Sequence, residues 1–304
     1  MRHAVIDIGT NTLLLLVAEP DDAGGCRAVT DQCRFGRLGQ GLDASGRLHP
    51  DAVARSLDIC RAYAEVMRGL GVTAVDVIAT QALREATNAA TFIEPAAAIL
   101  GAPITVIDGA REAALTFAAA ARSLPALAGR PFVVADVGGG STEVIVTDGA
   151  RVTSAVSVPI GAVRLTERHL RHDPPTADEL AALTADVDAA FARHAADLPS
   201  AVPLVASAGT ATTLAALDLA APYQAERVHG HALAPASLAA WTARLLAMPV
   251  AARRDLPGME APRADVIGAG AAIFARLAAR LTASTVIVSD RGIRWGLAYE
   301  RLAR

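Results

Sequence analysis

Residues 132–148 read FVVADVGGGSTEVIVTD, and residues 3–19 read HAVIDIGTNTLLLLVAE. Each is an apolar, β-branched run ending in Asp-x-Gly, then a turn of small polar residues, then a second apolar run. That is the pattern of two buried strands joined by a tight turn. Asp7-Ile8-Gly9 in one stretch is matched by Asp136-Val137-Gly138 in the other. Two matched units about half a chain apart imply a duplicated domain.

Outward from these stretches the pattern alternates. Residues 50–69 carry apolar side chains at helical spacing (Val53, Leu57, Cys60, Tyr63, Ala64, Met67), which predicts an amphipathic helix. A strand follows at 74–79, a largely helical stretch at 80–98, a short strand at 104–107 and an Ala-rich helix at about 110–123. In the second half, helices are expected near 177–196, 236–247 and 264–281, with strand-to-helix units at 204–217 and 285–302. Strands alternating with helices predict an α/β fold with mainly parallel sheets. Ser123, Pro125, Gly129 and Pro131 interrupt the pattern, so the expected domains are 1–119 and 120–304.

The 304 residues exceed what a single core usually holds. The chain is 53% hydrophobic but only 4% aromatic, which suits tightly packed helices on sheets. No apolar run reaches the roughly 20 residues of a membrane span, and the N-terminus enters a strand-like run without a basic leader, so a cytoplasmic protein is expected. Cys26, Cys33 and Cys60 show neither disulfide-framework nor zinc spacing. With a net charge of -3 there is no global attraction for nucleic acid or an anionic membrane surface. A polyanionic substrate would need a local site.

Such a site is written into the two turns. Consecutive Gly138, Gly139 and Gly140 let successive backbone N–H groups converge on one anion, and Ser141 and Thr142 add hydroxyls. Asp136, at the end of the buried strand, is placed to hold Mg²⁺ directly or through water. Gly9, Thr10, Asn11 and Thr12, with Asp7, offer the same chemistry from the other half. Two glycine-containing hairpins would account for either turn alone; two such turns facing one another would make a cleft that clamps a phosphate chain. Gly209 and Thr210 open a helix straight after a strand, where the N–H groups and dipole suit an anion or nucleotide, although any strand-helix junction can use Gly and Thr as a cap.

The stretches AVIDIGTNT (4–12), ATQALREATNA (79–89), DVGGGSTEV (136–144), PIGAVRLTE (159–167), SAGTATTLAAL (207–217) and SDRGIRWGL (289–297) resemble, in that order, the exopolyphosphatase/guanosine pentaphosphate phosphohydrolase (Ppx/GppA) family in its short two-domain form. The resemblance implies two actin-like (ribonuclease H-like) α/β domains with the active site in the cleft between them. It implies Glu112 as the base that orients and deprotonates the attacking water, Arg84 as a phosphate-clamping arginine and Glu143 as a metal-associated carboxylate beside Asp136 and Asp7. Read locally, Glu112 is a helix-dipole partner in a first turn, Arg84 an exposed helical arginine and Glu143 a solvated carboxylate. The family's usual Glu next to the base is here Arg111.

Arg164, Arg263 and Arg291 match motif positions and could line a channel or simply pair with carboxylates. His229 and His231, in VHGHAL, have metal-like spacing but no acidic or Cys ligand close by. The expected activity is release of terminal orthophosphate from polyphosphate, with Mg²⁺ (or Mn²⁺) as the ion and guanosine pentaphosphate as the alternative substrate. A kinase of the same superfold and a non-catalytic nucleotide-sensing protein are the rival readings. A homodimer is expected by analogy only. Larger family members carry a further C-terminal region that helps to hold long polyphosphate, and this chain stops at Arg304, so short chains are the expected substrates.

Overall fold

The computed structural model describes residues 1–22 and 24–302. The chain divides into two compact units, Met1–Ala119 together with the C-terminal helix, and Ala120–Gly292. The first unit runs β1 (His3–Ile8), β2 (Leu13–Pro20), β3 (Cys26–Arg34), α1 (Leu42–Ser45), α2 (Pro50–Gly69), β4 (Ala74–Ala79), α3 (Gln81–Glu85), α4 (Ala90–Leu100), β5 (Ile104–Val106) and α5 (Gly109–Ser123), which leads into the second unit. Its sheet has the order β3-β2-β1-β4-β5. Strands β1, β4 and β5 run parallel, while β2 and β3 are antiparallel additions joined through short connections. Every residue of β1 is buried, as a continuous apolar strand covered on both faces requires.

The second unit contains β6 (Phe132–Val137), β7 (Thr142–Thr147), β8 (Val152–Val158), α6 (Ala162–His169), α7 (Ala177–His194), β9 (Leu204–Ser207), α8 (Ala208–Asp218), α9 (Ala225–Val228), β10 (Ala232–Leu233), α10 (Pro235–Ala247), α11 (Val250–Arg254), α12 (Ile267–Arg280) and β11 (Val286–Ser289). Its sheet order is β10-β11-β9-β6-β7-β8. Matching β6 to β1, β7 to β2, β8 to β3, β9 to β4 and β11 to β5 reproduces the first sheet, with β10 added at the edge. The duplication read from the two Asp-x-Gly turns is therefore a duplication of whole sheets. Both sheets are mixed rather than mainly parallel, because β2 and β7 return across tight turns. The core of the second unit gathers Phe191, Phe274, Leu183 and Leu214 against β6 and β9. In the first, Tyr63 and Phe92 pack on β1 and β4, and the Tyr63 hydroxyl is satisfied by the Leu13 carbonyl at 2.7 Å.

Two further expectations change. The sequence pattern assigns the last stretch to the second domain, but α13 (Ile293–Leu302) packs on β1 and β2 of the first. Trp295, Leu297 and Ala298 join a cluster with Val5, Leu16 and Leu115. Arg294 holds Asp31 through two bonds of 2.8 and 2.9 Å, and the Trp295 indole donates to the same carboxylate at 3.0 Å. Arg301 holds Asp76 at 2.8 and 3.0 Å. Burial pushes Asp76 up, but the Arg301 and His3 hydrogen bonds outweigh it and hold the carboxyl below its usual range. The helical stretch 80–98 is two helices, α3 and α4, split where the Asn88 side chain turns away to bind both backbone groups of Leu48.

Among the described residues no helix is long and apolar enough to cross a membrane.

Candidate active-site residues

In the first unit the expected residues gather at the carboxyl ends of the parallel strands, where open α/β sheets place their ligands. The turn after β1 is closed by the Gly9 amide on the Thr12 carbonyl at 2.9 Å. Its outer carbonyls are tied down by the loop before α1. The Arg37 amide donates to Asn11 O at 2.9 Å and the Gly39 amide to Thr10 O at 2.8 Å. Gly39 lies so close that any Cβ there would strike the Thr10 methyl, and Arg37 is held in left-handed backbone at φ 52°. Asp7 precedes the turn and is buried.

Arg84 on α3 and Glu112 on α5 meet in an ion pair of 2.6 Å. Asp108 caps α5 by accepting the Arg111 amide at 2.8 Å, and this fixes the first turn that carries Glu112. The Glu112 side chain is only 4% exposed against 29% for Arg84. Arg84 also donates to the Ile107 carbonyl at 2.6 Å, at the end of β5. The arginine read as a phosphate clamp and the glutamate read as a base are thus one hydrogen-bonded unit. Next to them Arg111 turns away to hold Glu300 of α13 through both of its terminal nitrogens, at 2.9 and 2.5 Å. That gives the departure from the family's Glu a structural use.

The second unit repeats the arrangement at the ends of β6, β9 and β11. The Gly138 amide closes the turn on Ser141 O at 3.0 Å. The first amides of α6 then take the turn's outward carbonyls, Ala162 on Gly138 O at 2.9 Å, and Val163 and Arg164 on Gly139 O at 2.9 and 3.0 Å. The helix N-terminus is spent on fixing the glycine turn. Gly161 permits the contact, because a Cβ there would lie 2.5 Å from Gly139 C and O and from Gly140 N. Ser141 lies in the turn, one residue before β7. Thr142 is fully buried and donates its hydroxyl to Ile160 O at 2.7 Å.

Asp136 and Glu143 are direct cross-strand partners on β6 and β7, so their carboxylates share one face of the hairpin. Ser157 donates to Glu143 Oε1 at 2.7 Å. Asp136 is also opposite Ser207 of β9, whose hydroxyl is buried without a hydrogen-bond partner. Ala208, next in the chain, is in left-handed backbone at φ 72°. Gly209 then passes close beneath the Arg263 guanidinium, which a Cβ there would displace, and Arg263 is held by Glu260 at 3.0 Å. Thr210 is buried against Gly270 of α12.

His229 sits between the Ser123 carbonyl, 3.1 Å from Nε2, and the Asp290 amide, 3.2 Å from Nδ1. Its burial pushes its pKa below the ordinary histidine range. His231 pairs with Asp218 at 2.9 Å. Among the described residues no group of three or more His, Cys, Asp or Glu is arranged to hold a metal. Asp136 with Glu143 is instead an oxygen-only pair, the kind of partial donor set that Mg²⁺ accepts when substrate phosphates complete its shell.

The sequence motifs contain Gln81, Gly161 and Ser207 but assign them no role, and Gly39 reads only as a turn signal. The glycines stand in RLGQG and PIGAV, where nothing local distinguishes a close backbone approach from an ordinary turn. Gln81 and Ser207 declare themselves only through buried polar atoms left without partners.

Comparison with known proteins gives one consistent picture. The profile of the Ppx/GppA phosphatase family matches residues 16–304. Exopolyphosphatase 2 of Mycobacterium tuberculosis is 38% identical over 312 aligned positions that cover 98% of this chain and 97% of that protein. The guanosine-5'-triphosphate,3'-diphosphate pyrophosphatase of Vibrio cholerae is 37% identical over 58% of this chain, which is 35% of its own length. Among solved structures, an exopolyphosphatase-like protein superposes with a TM-score of 0.93 at 32% identity, covering 99% of this chain and 97% of that one. The Ppx/GppA family member of Aquifex aeolicus superposes with a TM-score of 0.82 at the same identity and coverage.

Proposed function

The chain belongs to the Ppx/GppA phosphatase family, and on that premise we propose that it is an exopolyphosphatase that releases terminal orthophosphate from inorganic polyphosphate, with short chains preferred. The observation that carries the mechanism is the Arg84–Glu112 pair, 2.6 Å apart with the carboxylate almost fully buried. Glu112 orients a water molecule and takes its proton as the water oxygen attacks the terminal phosphorus. The bond from that phosphorus to the bridging oxygen breaks, and the shortened chain leaves with the electron pair on its new terminal oxygen. No covalent intermediate is required.

Arg84 has five N–H donors in a planar fork. One of its terminal nitrogens serves both Glu112 Oε1 and Ile107 O. A phosphate oxygen competes for the same guanidinium, so substrate binding draws charge away from Glu112 and leaves the carboxylate to the water. In the first unit the Gly9–Thr12 turn, and in the second the Gly138–Thr142 turn with Gly209 and Thr210, supply backbone donors for phosphate oxygens. Asp136 and Glu143 would hold Mg²⁺ or Mn²⁺, and Asp7 is the carboxylate at the equivalent place in the first unit. The ion, when bound, offsets negative charge on the phosphate oxygens.

The preference for short chains is supported by the net charge of -3, which provides no steering field for a long polyanion. Guanosine pentaphosphate is the second candidate substrate, favoured by the partial likeness to the Vibrio cholerae pyrophosphatase. Phosphate release with Mg²⁺ from polyphosphates of defined length, guanosine pentaphosphate, ATP and ADP in parallel separates the readings. Short polyphosphates should give the highest kcat/KM. A kcat/KM that climbs steadily into chains of hundreds of phosphates would refute the preference, and phosphate transferred from ATP to an acceptor would point to a kinase.

A further inference from the structure

Gln81 is 3% exposed and opens α3, three residues before Arg84. Its carboxamide oxygen accepts the Thr10 hydroxyl at 2.9 Å. Thr10 belongs to the turn after β1, so the side chain is keyed to that turn. Its other end, Nε2, is buried with no hydrogen-bond partner. Leaving a buried N–H₂ donor unpaired is costly, and folded proteins rarely do so without a reason.

The surroundings supply the reason. Backbone bonds bring the neighbouring elements to this corner. Thr80 donates its amide to Ile8 O at 3.2 Å and Ile107 donates to Ala79 O at 2.9 Å. Gln81 therefore stands where β1, β4 and β5 end, beside the turn that carries Thr10 and on the helix that carries Arg84. A group suited to an orphaned N–H₂ donor at that place is an anionic oxygen.

Resting on the phosphatase reading above, we propose that Gln81 is a substrate-binding residue whose Nε2 donates a hydrogen bond to a phosphate oxygen of the bound phosphoanhydride. Thr10 fixes which end of the carboxamide is presented. The donor is neutral, so it adds recognition of an oxygen acceptor beside Arg84 without adding charge. The stability lost by burying it unpaired in the free protein is regained only in the complex, so its removal should weaken binding without weakening the free fold.

The test is equilibrium binding of tripolyphosphate by calorimetry, in the presence of Mg²⁺, on a Glu112→Gln background that turns over slowly. Adding Gln81→Met keeps side-chain length and removes the donor together with the acceptor for Thr10. Affinity should fall on the order of tenfold or more, as for a hydrogen bond to a charged group; the melting temperature reports separately on the Thr10 hydroxyl, which loses its acceptor. Adding Gln81→Glu instead keeps an acceptor for Thr10 but replaces the donor with an anion, and should bind more weakly still. This variant also serves if the methionine protein does not fold. Unchanged affinity in a folded Gln81→Met protein, or Gln81→Glu binding as tightly as glutamine, would overturn the assignment. Phosphate release from tripolyphosphate by the unaltered chain is the separate check on the phosphatase reading. An active wild type with an indifferent Gln81 sinks only the present inference, and an inactive wild type sinks the reading beneath it.

Discussion

Replacing Gly161 by alanine should damage the glycine turn from a position that touches no substrate. The added Cβ would lie 2.5 Å from Gly139 C and O and Gly140 N, where ordinary contact begins at 3.4 Å, a shortfall of about 0.9 Å. Those neighbours are backbone atoms and cannot swing aside as a side chain would. Either the turn or the start of α6 must move by roughly 1 Å, and the amides of Ala162, Val163 and Arg164 then lose their grip on the Gly138 and Gly139 carbonyls. Overpacking of this kind costs about 1–3 kcal/mol of stability, and a misplacement of about 1 Å in a positioning group costs on the order of 10² in rate. The assay is thermal unfolding together with kcat/KM for phosphate release from a short polyphosphate. Gly69→Ala is the control: Gly69 ends α2 with open space around it, and alanine there should hold or raise the melting temperature. A Gly161→Ala protein with wild-type melting and a kcat/KM within about twofold of wild type would refute this account of how the turn is built.

Asp136→Ala should abolish hydrolysis or raise the Mg²⁺ requirement steeply, because one of the two facing carboxylates is lost while the glycine turn remains; activity in EDTA equal to that with Mg²⁺ would contradict it. His229 is held neutral by burial, which keeps its folded-state pKa below the ordinary histidine value of about 6.5. Its contribution to stability is therefore complete above about pH 6.5 and is lost as pH falls from there toward the folded value. Protonation would also set an N–H on Nδ1 against the Asp290 amide. Melting curves from about pH 8 to about pH 5 should fall more steeply for wild type than for His229→Gln, and parallel curves would remove His229 from the pH response. Arg111→Ala breaks a solvent-exposed pair with Glu300 and should cost no more than about 1 kcal/mol with little change in kcat, although it adjoins Glu112; a large loss of activity would give Arg111 a part in the chemistry.

The strands of the fold were legible where both faces are buried. HAVIDI and FVVADV are continuous apolar runs, and both are fully buried strands. The third strand of each sheet was not legible. CRAVTDQCR and VTSAVSV are exposed or half-buried along most of their length at sheet edges, so their polar residues are tolerated and the segments resemble loops. Helix α13 could be seen as a helix, but its attachment to the first sheet depends on Arg294–Asp31 and Arg301–Asp76, pairs separated by more than two hundred residues. Among the candidate residues, the glycine turns and the carboxylates Asp7, Asp136 and Glu143 follow from local pattern and resemblance. What could not be named was what holds them: Gly39 over Thr10, Gly161 under Gly139, and the bond from Arg84 to Glu112. Each is a contact between elements distant in sequence, invisible to any local periodicity.

The central claim is that Glu112 is the base, held ready by Arg84. It is tested most directly by the rate of orthophosphate release from short polyphosphate by Glu112→Gln at saturating Mg²⁺, with a melting curve on the same protein. Glutamine keeps an acceptor for Arg84 Nη1 but cannot take the water's proton at any ordinary pH. The account predicts a wild-type fold and a rate lower by a factor of roughly 10² to 10⁴; a folded variant that keeps more than about half of the wild-type rate would remove Glu112 from the mechanism.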